Sequence, residues 1–158
     1  MLAGMEIDAA LADFIDGPVM IVAAVAGPGG MPEIARAAGA TADRGAGRLD
    51  LLVSGWAWPE AAAAMVPGAR MAVTLARPAD YVSLQIKGMI DTTLPATADD
   101  AARAGRYVAV MTAALSDLGL DPFLIKPWFS DRDLLRLILR PQAVFVQTPG
   151  PQAGQALS

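Results

Sequence analysis

Apolar and polar positions alternate along much of the chain, and the alternation predicts strands. In YVSLQIKGMI, residues 81–90, Val82, Leu84, Ile86 and Ile90 fall on one parity, with Gly88 among them. Tyr81, Ser83, Gln85 and Lys87 fall on the other, followed by Met89. Successive side chains of a strand point to opposite faces, so this segment carries one apolar and one polar face. ARMAVTLA (69–76) alternates likewise, with Met71, Val73 and Leu75 together, and RLDLLVS (48–54) groups Leu49, Leu51 and Val53. PVMIVAAVA (18–26) is a continuous apolar run suited to a buried strand, GPGG (27–30) is a turn, and MPEIARAAGA (31–40) returns. LLRLILRPQAVFVQT supplies a last strand, broken or bent at Pro141, and the tail 149–158 is expected to be irregular.

Between these runs the period lengthens to that of a helix. Ile7, Leu11, Phe14 and Ile15 recur at helical spacing within the first 16 residues, and Gly17-Pro18 stops the pattern. Pro59 suits the first position of a short helix that Pro67-Gly68 ends. Thr97-x-x-Asp100 has the form of a capping box. Behind it Ala104, Val108, Met111, Leu115 and Leu118 make one stripe, closed by Gly119, which reads as core or dimer contact. The order is helix, three strands, short helix, two strands, longer helix, final strand. Hairpin-linked strands with a short helix between the third and fourth predict a small closed antiparallel barrel, as one domain over 1–158.

Composition narrows the chemistry. With 54% hydrophobic and 18% charged residues the chain is globular. It has no cysteine and no histidine, which excludes disulfides, Ser-His-Asp and Cys-His catalysis, histidine-ligated haem and ordinary zinc sites. No Asp-rich cation loop appears, so no metal site is expected. A net charge of −4 argues against nucleic acid as the main partner. The longest apolar run is far short of a membrane helix, which needs roughly 20 residues. No basic leader with an apolar core opens the chain, and the expectation is a cytoplasmic protein without a membrane segment.

Several polar and aromatic residues remain open to two readings. The polar face of 81–90 is either a binding surface or a solvated sheet face. Trp56 and Trp58 suit core or interface packing as well as ligand stacking. Arg36 stands free for an anion or pairs with Glu33 or a nearby Asp, and Arg136 and Arg140 share one face as plain surface. GPGG is not a phosphate loop, since no Lys-Ser or Lys-Thr follows it. Asp99-Asp100 and Asp131-x-Asp133 read as helix-start charges.

The order and the local motifs resemble the split-barrel proteins of the pyridoxamine 5'-phosphate oxidase superfamily, which bind flavin mononucleotide (FMN). GPGGMPEIARAAG is similar to the first hairpin of that family. LDLLVSGWAWPEAAAAMVPGARMAVTL resembles its strand, short helix and strand around the flavin phosphate. RPADYVSLQIKGMI resembles the next strand with its terminal Gly, and VFVQTPGPQAG the C-terminal end of a branch of small proteins. The resemblance implies a six-stranded antiparallel split β-barrel with flanking helices, and a homodimer with FMN, or a deazaflavin, at the subunit interface. It implies an oxidoreductase acting on a small molecule, since the flavin itself carries the redox chemistry. A non-catalytic dimer binding a flavin-like or other anionic ligand is the alternative. The residues implied for the cofactor are Arg36, Ser54, Gly55, Trp56, Trp58, Ser83, Gln85 and Lys87. Residues 54–59 contain no cation. The oxidase's strand glutamine corresponds to Ser83, and its C-terminal Arg and His have no counterpart, so pyridoxamine phosphate is not the expected substrate.

Overall fold

The Asp8 carboxylate accepts the Leu11 backbone N–H at 2.8 Å and so starts the first helix, α1 (Ala9–Asp16). The computed structural model describes residues 5–157. Within it the helix is shorter than the 1–16 expected, because the Asp8 cap fixes its start; residues 1–4 lie outside the described residues. Ile7 precedes the cap yet is buried with Phe14 and Ile15.

Six strands build the barrel: β1 (Met20–Ala26), β2 (Pro32–Asp43), β3 (Arg48–Ser54), β4 (Arg70–Ala76), β5 (Ser83–Pro95) and β6 (Leu134–Val146). They run in the order β3-β2-β1-β4-β5-β6, all antiparallel, and β6 pairs again with β3 from Leu49↔Leu139 to Ser54↔Leu134. That last pairing closes the expected barrel and removes the free edges of an open sheet. Inside lie Ile21, Leu49, Leu51, Val53, Val73, Leu75, Ile86, Leu137 and Leu139, each at most 2% exposed. A short helix, α2 (Pro59–Ala64), joins β3 to β4 and adds Ala61 to the same core.

Two strands bend where the sequence supplies the means. In β2 the register with β3 slips between Ala37 and Ala40, and Gly39 takes up the irregularity at φ +142°. The last strand is not broken at Pro141. Gly88 pairs with Pro141 but Lys87 with Ala143, so Gln142 is an extra residue in a bulge. A Cβ at Gly88 would run into the Arg140 carbonyl oxygen, so this crossing requires glycine. Strand β5 also outruns the alternating stretch, because its continuation to Pro95 pairs with Ile138 to Leu135 of β6.

The capping box forms as expected: Thr97 and Asp100 bond reciprocally at the start of α3 (Ala98–Asp117). Ala104 of the predicted stripe packs on Ala38 and Leu52, outside the barrel. An ionic cluster pins the same helix. Arg103 donates to Thr41 Oγ1 and to Asp50, both at 2.7 Å, and Arg136 donates to the other Asp50 oxygen, Nε–Oδ2 2.7 Å. Arg136 and Arg140 are therefore more than plain surface, since Arg140 pairs with Asp91 at 2.8 Å. After α3 come a short helix, α4 (Pro122–Ile125), and a 3-10 turn at Lys126–Trp128.

The tail also departs from the expected irregular segment. Residues Ala156–Leu157 form β7, paired with Val144 and Phe145. Strand β3 covers β6 only as far as Leu139, leaving residues 143–146 an open edge. Gly154 N–H to Val146 O (2.7 Å) and Val146 N–H to Gln155 O (2.8 Å) fold the tail back onto it.

Candidate functional site

Outward-pointing residues of five strands line up across the barrel wall. Cross-strand partners give the row Arg36, Val22, Thr74, Gln85 and Phe145, from β2 to β6. With strands about 4.8 Å apart, Arg36 and Gln85 stand roughly 14 Å from each other in that row. The implied cofactor residues therefore fall into three separate places rather than one contact set.

On β5, half-buried Gln85 donates from Nε2 to Thr74 Oγ1 at 3.1 Å, and its Oε1 has no protein donor among the described residues. Lys87 is exposed, its ammonium 4.8 Å from the Phe145 ring centroid. Ser83 is tied into the strand mouth. Its Oγ donates to Tyr81 O at 3.0 Å, and its backbone N–H donates to Thr148 Oγ1 at 3.0 Å.

Arg36 stacks on Trp128, guanidinium carbon to ring centroid 4.9 Å, rather than pairing with Glu33 or an Asp. Beside it Phe129 meets Tyr107 edge-on at 5.8 Å. The Tyr107 hydroxyl donates to Val19 O at 2.7 Å. Burial pushes its phenol well above the ordinary value, and the Arg36 charge offsets only part of that, so it stays a neutral donor.

At residues 54–58 the polar groups bond within the chain. Ser54 is 1% exposed; its Oγ donates to Arg132 O at 2.6 Å, accepts the Ala57 N–H at 3.1 Å and lies 3.1 Å from Ser130 Oγ. The Gly55 N–H donates to Asp133 O at 2.8 Å, and an Asp133 carboxylate oxygen would lie 3.0 Å from any Cβ at Gly55. Trp58 packs partly against the core, while Trp56 is exposed beneath Arg132, 4.8 Å from ring centroid to guanidinium carbon. The Ser54 hydroxyl and the Gly55 and Ala57 N–H groups are bonded within the chain, and the charges beside the segment are the Arg132 guanidinium, the Asp133 carboxylate and Glu60 in the first turn of α2. Ser54 Oγ and the Gly55 N–H are therefore not open to a ligand phosphate.

A groove of about 660 Å³ opens instead on the outer wall beside Lys87. Ala24, Ala26 and Ala72 leave room in it, Gly30 and Pro32 line it from the first hairpin, and Arg70 and Gln142 contribute polar groups. A cleft of about 310 Å³ between α1 and β5–β6 is lined by Leu11, Phe14, Leu84 and Leu157 with Glu6 and Asp8, and has no cation. Among the described residues no three Asp, Glu, His or Cys side chains gather as a metal site. Sequence reasoning missed Arg70 and Gln142. The available signal for Arg70 was parity: it is outward with Ala72 and Thr74, on the strand paired with Lys87.

Several solved structures align with this chain. Two structures of HupZ from Group A Streptococcus align with TM-scores of 0.54 and 0.53 at 9% and 11% identity. They cover 89% and 94% of this chain, and 98% and 99% of HupZ. An F420 reductase aligns at TM-score 0.49 and 15% identity over 87% of this chain and 98% of its own. HutZ, the heme storage protein from Vibrio cholerae, aligns at TM-score 0.49 and 12% identity over 90% of this chain and 95% of its own. No protein-family model matches the sequence, and no curated protein does. At such identities the likeness is one of fold. The chain has the split-barrel fold, a closed six-stranded antiparallel barrel with flanking helices. Among its described residues no helix is long and apolar enough to cross a membrane.

Proposed function

We infer that this protein is a homodimer that binds a flavin-type cofactor, FMN or a deazaflavin, between its protomers and uses it as an oxidoreductase on a small molecule. The observation that carries this reading is the bare outer wall of β1, β4 and β5. Val22, Ala24, Ala72, Thr74, Gln85 and Met89 are only half-buried there, and neither β4 nor β5 has a helix among its main packing partners. A face of small apolar residues with a few polar groups suits a second copy of the chain, with a flat ligand at its margin. A bound flavin supplies the hydride and electron transfer. The chain's part is to position it: Gln85 Oε1 is available to accept from a ring N–H, and Lys87 supplies positive charge.

A second reading, binding without turnover, has its own support. The residues lining the groove include no carboxylate, hydroxyl or phenol, so no side chain other than the cations stands ready to move a proton. Histidine- or thiolate-ligated haem lacks ligands in this chain. A fluorescence titration with FMN separates the readings when followed by mixing with nicotinamide donors. Stoichiometric binding with flavin reduction supports the oxidoreductase; stoichiometric binding without reduction supports a carrier. Absence of binding at micromolar concentration overturns both.

A further inference from the structure

We propose that the outer-wall groove is an anion site built by Arg70 and Lys87, and that it takes the phosphoryl end of an organic phosphate. Arg70 begins β4 and points outward; Lys87 lies opposite Ala72, two residues along the same face. Such diagonal neighbours stand roughly 7–8 Å apart, within reach of one shared anion for two long side chains. Neither cation has an ion-pair partner among the described residues, whereas Arg48, Arg77, Arg103, Arg136 and Arg140 all do. The chain has 16 acidic and 12 basic residues, yet none of the acids lines this groove. Lys87 rests on Phe145 in an exposed cation–π contact, weak enough for an arriving anion to displace.

The donor set selects the ligand class. A guanidinium offers paired N–H groups, an ammonium a compact charge, and the Gln142 amide a third donor, matching the oxygens of a terminal phosphoryl group. Two positive charges match its charge of about −1.5 to −2. Gln142 is available only because the β6 bulge makes it an extra residue opposite Lys87 and Gly88. At about 660 Å³ the groove is far larger than a bare phosphate needs, and its alanines leave apolar wall for a flat or hydrocarbon body. The assignment goes beyond the flavin reading, because it holds for any such ester.

The test is an NMR titration of the full chain, labelled at its Ala and Met methyl groups, with phenyl phosphate. Saturable shifts are expected at Ala24, Ala72 and Met89, with affinity lowered roughly tenfold or more by Arg70→Ala and by Lys87→Ala. Lys87→Arg should restore much of the loss, Arg44→Ala should change nothing, and benzyl alcohol should bind far more weakly. If Arg70→Ala does not fold, Arg70→Gln keeps the side-chain stem and removes the charge. Unchanged affinity in the charge-removing variants, equal binding of benzyl alcohol, or no shifts at millimolar phenyl phosphate would each overturn the proposal. A parallel FMN titration keeps the two readings apart. Phenyl phosphate binding without FMN binding sinks the flavin reading alone. FMN binding that Arg70→Ala leaves unchanged, with no binding of phenyl phosphate, sinks the groove alone.

Discussion

Ile86 and Lys87 are neighbours in the chain, one wholly buried in the barrel and the other exposed on its wall. Ile86→Ala should therefore cost about 2–5 kcal/mol in a denaturant melt. Gln85→Ala and Lys87→Ala should leave the midpoint of the ligand-free protein nearly unchanged; the reverse pattern would mean that the strand is inside out. Leu84, on the same parity as Ile86, is only half-buried near the barrel end, so its truncation should cost less. Gly88 presents the opposite problem. In Gly88→Ala the new methyl meets the Arg140 carbonyl, a backbone atom that moves only with its strand. A loss of about 1–3 kcal/mol is expected, with faster amide exchange around the β5–β6 bulge. Wild-type stability and exchange in this variant would show that the bulge gives way freely.

At the scale of elements, α3 is held by charge as much as by packing. Asp100 is 5% exposed, and burial alone would raise its pKa. The Thr97 N–H and hydroxyl, then Arg136 and Arg103, outweigh burial and leave it below the ordinary value of about 3.9. A depressed carboxylate stabilises the fold fully above its unfolded pKa and loses that contribution as pH falls through the folded one. Stability should thus decline as pH falls below the ordinary carboxylate range, and Asp100→Asn should flatten that limb while lowering stability at neutral pH. An identical pH slope in the variant would move the acid sensitivity elsewhere. Arg136→Ala would be a poor neutral control for ligand binding, because it strips Asp50 of a charge partner.

For the whole molecule the proposal turns on the bare wall of β1, β4 and β5. Light scattering should give twice the 16.3 kDa chain mass at micromolar concentration. Thr74→Arg puts a charge in the middle of the outward row and should yield a monomer that keeps its far-ultraviolet circular dichroism. A wild-type monomer would remove the shared site, and a Thr74→Arg dimer would place the interface on another face.

Features carried by one segment were determined by the sequence itself. The parity of 81–90, the Thr97–Asp100 box, the turn at 27–30 and the hairpin order that foretells a barrel each depend on residues close in the chain, where period and capping chemistry act. Tertiary structure decided what depends on distant partners. Whether the tail stays irregular hinges on β3 leaving the 143–146 edge open, far from residues 156–157. Whether Ser54 and Gly55 are free for a phosphate hinges on Ser130, Arg132 and Asp133, which closure of β6 against β3 brings alongside. Arg70 and Lys87 come together because β4 and β5 pair in one register, and a one-residue slip would put them on opposite sides of the wall. Local period sets which face a residue takes, but only barrel closure and register determine what stands beside it.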